Sequence, residues 1–136
     1  MSLKNNRLLA VVTLSLATAS AEPSERFYEA IHQVETGGKL GATTGDNGRA
    51  FGPLQIHREA FLDSEIKGVY LDCKDLSFSV RVCSAYLKRY APEAWKNNDV
   101  ETLARVWNGG PNGAKKPATS RYAKKVLLAL EKLSHP

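Results

Sequence analysis

A segment rich in glycine and asparagine, residues 41–52, most constrains how this chain folds. Five of its twelve positions are Gly or Asn, residues that adopt the positive-φ conformations of tight turns at low cost. Asp46-Asn47-Gly48 is a strong turn signal, and it predicts a short β-hairpin with strands through 43–44 and 49–51. The segment therefore places a small β element inside the chain.

Helical periodicity flanks this β element on both sides. Apolar residues spaced by three and four predict a first helix over 22–35, with Ser24 as its N-cap and Gly37-Gly38 ending it. Gly52-Pro53 starts a new element after the hairpin, in which Leu54 and Ile56 are expected to point inward. Four more helices are predicted. The first spans 59–66 and is anchored by Phe61 and Leu62, and the second spans 76–90 and is stopped by Pro92. The third is a short helix around Leu103 capped by Asn98, and the last begins at Thr119 or Ser120, with an apolar face made of Tyr122, Val126, Leu127, Leu130 and Leu133. The predicted fold class is α+β and mostly helical.

The first 21 residues match an export signal. Lys4 and Arg7 precede an uncharged, mostly apolar run over 8–17, and Ala19-Ser20-Ala21 fits a small-x-small cleavage site. The run is shorter than the about 20 residues of a transmembrane helix. We therefore expect a signal peptide over 1–21 and one domain over 22–136, secreted or periplasmic after cleavage near Ala21, without stable membrane insertion. A retained N-terminal anchor or an internal amphipathic helix over residues 1–21 is the alternative.

The positive charge of the chain is concentrated near its end. The net charge of +5 becomes +3 without residues 1–21, because that segment holds two basic residues and no acidic ones. A solvated helix face is the simplest interpretation of a basic last helix. No zinc-finger, homeodomain or aromatic RNA-binding pattern accompanies the basic residues, so we expect no nucleic-acid partner. These residues are Lys115, Lys116, Arg121, Lys124, Lys125 and Lys132, with Glu131 as the single acid among them.

Cys73 and Cys83 are the only cysteines of the sequence. An even number of cysteines in an exported chain favours a disulfide between them, and two buried free thiols are the alternative. The three histidines do not have the spacing of a metal site, so we expect no metal and no cofactor.

Two carboxylates, Glu35 and Asp46, can supply the chemistry of glycoside cleavage. Glu35 lies in the last turn of the first helix, where the negative end of the helix dipole disfavours an anion and favours a retained proton. Asp46 lies on an exposed polar turn and is expected to stay ionised. Cleavage of a glycosidic bond needs such a proton donor and a second carboxylate that stabilises the positive charge on the sugar. His32, one turn before Glu35, is expected to be a partly exposed helix residue, and the alternative is a residue that tunes the acid or contacts the sugar.

Four motifs surround these carboxylates in a fixed order. Together they closely resemble the invertebrate-type lysozymes, the destabilase family, over about residues 30 to 125. The motifs are Val34-Glu35-Thr36-Gly37-Gly38, Gly52-Pro53-Leu54-Gln55-Ile56, Cys83-Ser84-Ala85-Tyr86-Leu87-Lys88-Arg89-Tyr90 and Ala104-Arg105-Val106-Trp107-Asn108-Gly109-Gly110-Pro111-Asn112-Gly113.

The resemblance implies a lysozyme-like catalytic domain with its hairpin beside an active-site cleft. It implies a muramidase that hydrolyses the β-1,4 link between N-acetylmuramic acid and N-acetylglucosamine. We expect the chain to act as a monomer on peptidoglycan, with chitin oligomers as a second candidate substrate. Glu35 matches the proton donor of the family, and Asp46 falls one residue closer to it than the second carboxylate of the family. Residues that match the sugar-binding cleft are Gln55, Ile56, His57, Tyr86, Asn108, Gly109 and Gly110.

Two other functions remain open at the level of sequence. Residues 45–56 and the Asn-Gly-Gly turn also resemble the soluble lytic transglycosylases, which use one Glu and the N-acetyl group of the substrate to form a 1,6-anhydro product. A non-catalytic glycan-binding module that keeps the cleft but not turnover is the third hypothesis.

Overall fold

The computed structural model describes residues 22–136, so the predicted signal peptide and its cleavage site lie outside the described residues. The described part contains six α-helices, three short strands and three 3-10 helices. The α-helices are α1 (Glu25–Thr36), α2 (Arg58–Ser64), α3 (Leu76–Tyr90), α4 (Pro92–Lys96), α5 (Val100–Gly109) and α6 (Thr119–Ser134). The strands are β1 (Thr44–Gly45), β2 (Ala50–Phe51) and β3 (Ile56–His57), and the 3-10 helices span Asp46–Gly48, Tyr70–Lys74 and Gly113–Lys115. None of the helices over 22–136 has the length and hydropathy needed to cross a bilayer.

The predicted hairpin is confirmed, and a third strand extends it. β1 pairs antiparallel with β2, with Thr44 opposite Phe51, and β2 pairs antiparallel with β3, with Phe51 opposite Ile56. The turn between β1 and β2 holds Asp46 and Asn47 at φ values of 49° and 56°. Asp46 is therefore presented at the tip of the hairpin.

The end of α1 is fixed by its glycine stop and by its last residue. Gly37 adopts a left-handed conformation with φ of 65°, and its N–H donates to the carbonyl of Gln33 at 2.9 Å. The hydroxyl of Thr36 donates to the carbonyl of Pro53 at 3.1 Å. This bond ties the last turn of α1 to the loop before β3 and so fixes the helix end beside the sheet. At the other end, Ser24 is the N-cap residue, but its side chain makes no capping hydrogen bond.

The core lies between α3 and the helices that surround it. The bounds of α3 agree with the predicted helix, and Leu54 and Ile56 are fully buried as expected. The anchor assignment in α2 is half correct, since Phe61 is 8% exposed but Leu62 is 63% exposed. The largest fully buried side chains are Phe27, Ile31, Leu54, Ile56, Leu87, Leu103, Val82 and Val126.

Three details of the later helices differ from the predictions. Pro92 begins α4 rather than only ending α3, because the first position of a helix needs no backbone N–H. The N-cap of α5 is Asp99, whose carboxylate accepts the N–H of Thr102 at 3.2 Å, and not Asn98, which has φ of 50°. On α6, Leu127 is 40% exposed, so it lies outside the buried face.

The predicted disulfide is not formed, because Cys73 and Cys83 are both free thiols in the core. Burial raises the pKa of Cys73 to about 11, and burial raises the pKa of Cys83 well above its ordinary value. A thiol that keeps its proton is a poor nucleophile. The two cysteines therefore act as small apolar core residues, as the alternative of two buried free thiols predicts.

Candidate active site

An open cleft of about 640 Å³ lies beside the sheet. The end of α1, the sheet, α2, α3, α5 and the turn after α5 all contribute to it. The lining residues are Glu35, Asp46, Ala50, Gln55, His57, Glu59, Ala60, Asp63, Tyr86, Trp107, Asn108, Gly110 and Pro111. Both predicted catalytic carboxylates and five of the seven predicted substrate-binding residues thus share one cavity.

Glu35 is partly buried at the end of α1. Burial raises the pKa of its carboxyl from 4.5 to about 6, against the opposing effect of hydrogen bonds from Tyr122 and Trp107. Removal from water penalises the charged form, which is the main cause of the shift. The carboxyl therefore keeps its proton to a higher pH than an ordinary Glu, as a general acid requires.

Tyr122 is a site residue that sequence reasoning missed. Its hydroxyl donates to Oε1 of Glu35 at 2.6 Å, across 87 positions of the chain. By its spacing in the sequence, Tyr122 is only one of the residues on the apolar face of the last helix. Trp107, the second partner of the Glu35 carboxyl, lies next to Asn108 in the motif over residues 104–113, so the motif itself pointed to this position.

Asp46 lies in the same cleft in a different environment. Its side chain is 46% exposed, Arg49 Nη2 lies 3.1 Å from its Oδ1, and His57 Nε2 lies 3.4 Å from its Oδ2. Two cationic or potentially cationic side chains thus flank it. The cleft therefore combines one carboxyl shielded from water with one carboxylate open to water.

The predicted cleft residues of the sheet have unequal roles. His57 is exposed and contacts Asp46, so it belongs to the polar part of the site. Gln55 lines the cleft with φ of 52°, but its amide donates to the carbonyls of Thr43 at 3.1 Å and Gly52 at 2.9 Å. These bonds tie the strands together, so that Gln55 holds the shape of the sheet side of the cleft.

Aromatic rings form another part of the cleft. Tyr86 and Trp107 meet edge to face with 5.7 Å between ring centroids, and Tyr90 lies 4.9 Å from Tyr86. Asn108 and Gly110 continue this lining at the end of α5. Aromatic surface with a few polar groups is typical of sites that bind small organic ligands, sugars included.

Two predicted cleft residues do not line the cavity. The side chain of Ile56 is fully buried in the core, since β3 turns His57 outward and Ile56 inward. The carbonyl of Gly109 accepts Lys116 Nζ at 2.6 Å, and a Cβ at this position would lie 2.5 Å from Thr119. Gly109 therefore allows close packing behind the turn.

His32 is buried and not partly exposed as expected, and its Nε2 lies 2.8 Å from the carbonyl oxygen of Lys39.

The arrangement supports acid catalysis with a nearby carboxylate. Within residues 22–136, no three His, Cys, Asp or Glu side chains converge as metal ligands would. One carboxyl with a raised pKa and one exposed carboxylate in a shared cleft is the pairing that glycoside hydrolysis uses.

Comparison with known proteins points to one family. No protein-family model matches the chain. The chain is 29% identical over 119 residues to the lysozyme of Ostrea edulis, covering 85% of this chain and 87% of that protein. It is 45% identical over 90 residues to the lysozyme of Magallana gigas, covering 54% of this chain and 66% of that protein.

The fold agrees with the sequence relatives. The crystal structure of Tapes japonica lysozyme superposes with a TM-score of 0.62 at 26% identity, covering 76% of this chain and 87% of that one. These bivalve proteins are lysozymes by name, and the lysozyme-like α+β fold expected from the motifs is confirmed. The chain belongs to the invertebrate-type lysozyme family, and with it to the glycoside hydrolases.

Proposed function

We propose that the chain is a muramidase that hydrolyses the β-1,4 link between N-acetylmuramic acid and N-acetylglucosamine in peptidoglycan. The single observation that carries this proposal is the cleft that holds Glu35, with a pKa of about 6, together with exposed Asp46. The lysozyme relatives support the substrate class. We further propose that the chain is exported after cleavage near Ala21 and acts as a monomer on this polymer.

Glu35 and Asp46 have separate roles in the proposed reaction. Protonated Glu35 donates its proton to the glycosidic oxygen as the bond from that oxygen to the sugar C1 breaks. Asp46 bonds to C1 or stabilises the positive charge that develops there. Ionised Glu35 then removes a proton from the water that attacks C1, which restores the acid and releases a reducing end.

The pH dependence of kcat/KM should follow the proton on Glu35. Since the protonated form is the active one and its pKa is about 6, we expect kcat/KM to fall about tenfold per pH unit well above pH 6. Steady-state rates on a soluble muropeptide or chitin oligomer between pH 4 and 9 measure this limb. A rate that stays constant from about pH 5 to pH 8 would contradict the proposed role of Glu35.

The products distinguish hydrolysis from transglycosylation. Mass spectrometry of digested peptidoglycan should show muropeptides with a free reducing end, each carrying the mass of one added water. Muropeptides with a 1,6-anhydro end would instead indicate that the N-acetyl group of the substrate replaces the water. Binding of the polymer without released fragments would identify a non-catalytic glycan-binding module.

Replacing Asp46 with Asn should lower kcat about a hundredfold, because the developing charge on the sugar loses its anionic partner. Arg49→Gln is the matched control, since it removes the Arg49–Asp46 ion pair and keeps the carboxylate. We expect that control to change kcat by less than about fivefold, as exposed ion pairs contribute little. Full activity of Asp46→Asn would exclude Asp46 from the reaction.

A further inference from the structure

The proton donor of the site has a partner from the far end of the chain. The hydroxyl of Tyr122 on α6 donates to Oε1 of Glu35 on α1 at 2.6 Å, a short distance for a hydrogen bond to a carboxyl oxygen. No other side-chain hydroxyl of the described residues is bonded to that carboxyl. The contact joins the two helices at the catalytic group itself.

The phenol of Tyr122 is a permanent donor. Burial and the adjacent Glu35 raise the pKa of Tyr122 well above its ordinary value of 10, so the hydroxyl stays protonated over the working pH range of a glycosidase. An oxygen that accepts this hydrogen bond is a poor place for the acidic proton of the carboxyl.

We propose that Tyr122 is a positioning residue for the proton donor: it holds Oε1 as an acceptor, so that Oε2 carries the proton delivered to the glycosidic oxygen. This inference rests on the proposed role of Glu35 as general acid. A donor to Oε1 also stabilises the ionised carboxyl that remains after the transfer. Tyr122 thus both orients the acid and makes it a better proton donor.

The other groups around Glu35 differ from Tyr122 in charge or in the size of their effect on the carboxyl. Cys83 on α3 is buried near Glu35, and its charged form would repel the carboxylate. Trp107 on α5 also donates a hydrogen bond to the carboxyl, and this bond lowers the pKa of Glu35 less than the hydrogen bond from Tyr122 does. The other titratable side chains that line the cleft are Asp46, His57, Glu59, Asp63 and Tyr86, and Arg49 pairs with Asp46.

Titration of Glu35 in the full chain tests the proposal directly. Heteronuclear NMR of the Glu35 side-chain carboxyl carbon reports the titration midpoint of Glu35 in wild type and in Tyr122→Phe. The measurement does not require that either protein be enzymatically active. We expect the midpoint to rise by about one pH unit in the variant, because the ionised carboxyl loses a donor. Tyr28→Phe is the matched control, since Tyr28 is a buried tyrosine on α1 outside the cleft, and it should leave the midpoint unchanged.

Kinetics test whether the same bond acts in catalysis. In Tyr122→Phe the alkaline limb of kcat/KM should move upward with the NMR midpoint, while kcat on peptidoglycan falls about tenfold. An aryl glycoside with an acidic leaving group needs little protonation, so its kcat should fall much less. An equal loss on both substrates with an unchanged pH profile would show that Tyr122 is only structural, and would overturn the proposal.

An isosteric variant covers the case in which Tyr122→Phe does not fold. Site-specific 3-fluorotyrosine at position 122 keeps the shape and strengthens the donor, so the Glu35 midpoint should move downward, opposite to the Phe variant. A midpoint that does not respond to fluorotyrosine overturns the positioning role. If the midpoint responds but wild type releases no product from peptidoglycan, then the proposed function has failed and the proposed delivery of the proton fails with it.

Discussion

Replacement of Glu35 by Gln is expected to lower kcat about a thousandfold or more, with KM changed little. The amide keeps the shape of the carboxyl and still accepts the hydrogen bond of Tyr122, so the site stays assembled. It has no proton that it can donate to the glycosidic oxygen. The measurement is initial rate on soluble oligomers together with binding of the same oligomer by calorimetry.

Glu29→Gln is the matched control for this variant. Glu29 lies on the same helix, is exposed, and lies outside the cleft. The same chemical change there should leave kcat within about twofold of wild type, as is usual for exposed surface substitutions. Wild-type turnover by Glu35→Gln would show that Glu35 is not the proton donor. Another residue would then have to donate the proton while Asp46 stabilises the charge on the sugar.

Glu35→Gln should also be more stable than wild type at neutral pH. Since the pKa of Glu35 is about 6 in the folded chain and 4.5 ordinarily, the folded state holds more protons than the unfolded state between these values. Stability therefore falls as pH rises from 4.5 to 6, by about 2 kcal/mol at most. Glu35→Gln should recover that free energy of unfolding at pH 7 and show no gain at pH 4.

Gly52→Ala is expected to reduce the free energy of unfolding by about 4 kcal/mol. Gly52 has φ of 82°, and a Cβ at this position would lie 1.9 Å from the carbonyl oxygen of Cys73. The oxygen belongs to the backbone and the Cβ is fixed to the backbone of residue 52, so neither atom can rotate away as the end of a flexible side chain would. The sheet must therefore separate from the 3-10 helix Tyr70–Lys74, and urea denaturation measures the loss.

Gly48→Ala separates the two causes of this loss. Gly48 has nearly the same conformation, with φ of 83°, but no atom lies within 4 Å of a Cβ placed there. It should lose only the about 1 kcal/mol that a left-handed conformation costs a residue with a side chain. Equal losses in the two variants would mean that the backbone near Cys73 yields easily and that the close approach is not a constraint.

Local patterns in the sequence predicted the features that depend on neighbouring residues. The glycine stop after α1, the hairpin turn and the bounds of α3 follow from backbone conformation and helical periodicity. The protonated state proposed for Glu35 was inferred from the helix dipole, whereas the main cause in the structure is burial in the folded chain. The direction of that prediction agrees with the structure, but its physical reason was incomplete.

The parts that sequence could not predict depend on packing between distant elements. The contact of Tyr122 with Glu35 exists only because α6 packs on α1, and the spacing of apolar residues within either helix does not predict it. Whether Cys73 and Cys83 pair depends on where their elements sit in the core, so counting cysteines gave the wrong state. Ile56 shared a motif with cleft residues, but the alternation of β3 turns it into the core.

The packing of α1 against α6 has a consequence for the candidate site. Glu35, Asp46 and the other side chains that line the cleft lie within residues 35–111, whereas Tyr122 lies on α6. The hydrogen bond to Oε1 of Glu35 therefore depends on the packing of α6 on α1. A loss of that packing would break the contact at Glu35 without altering any residue that lines the cleft.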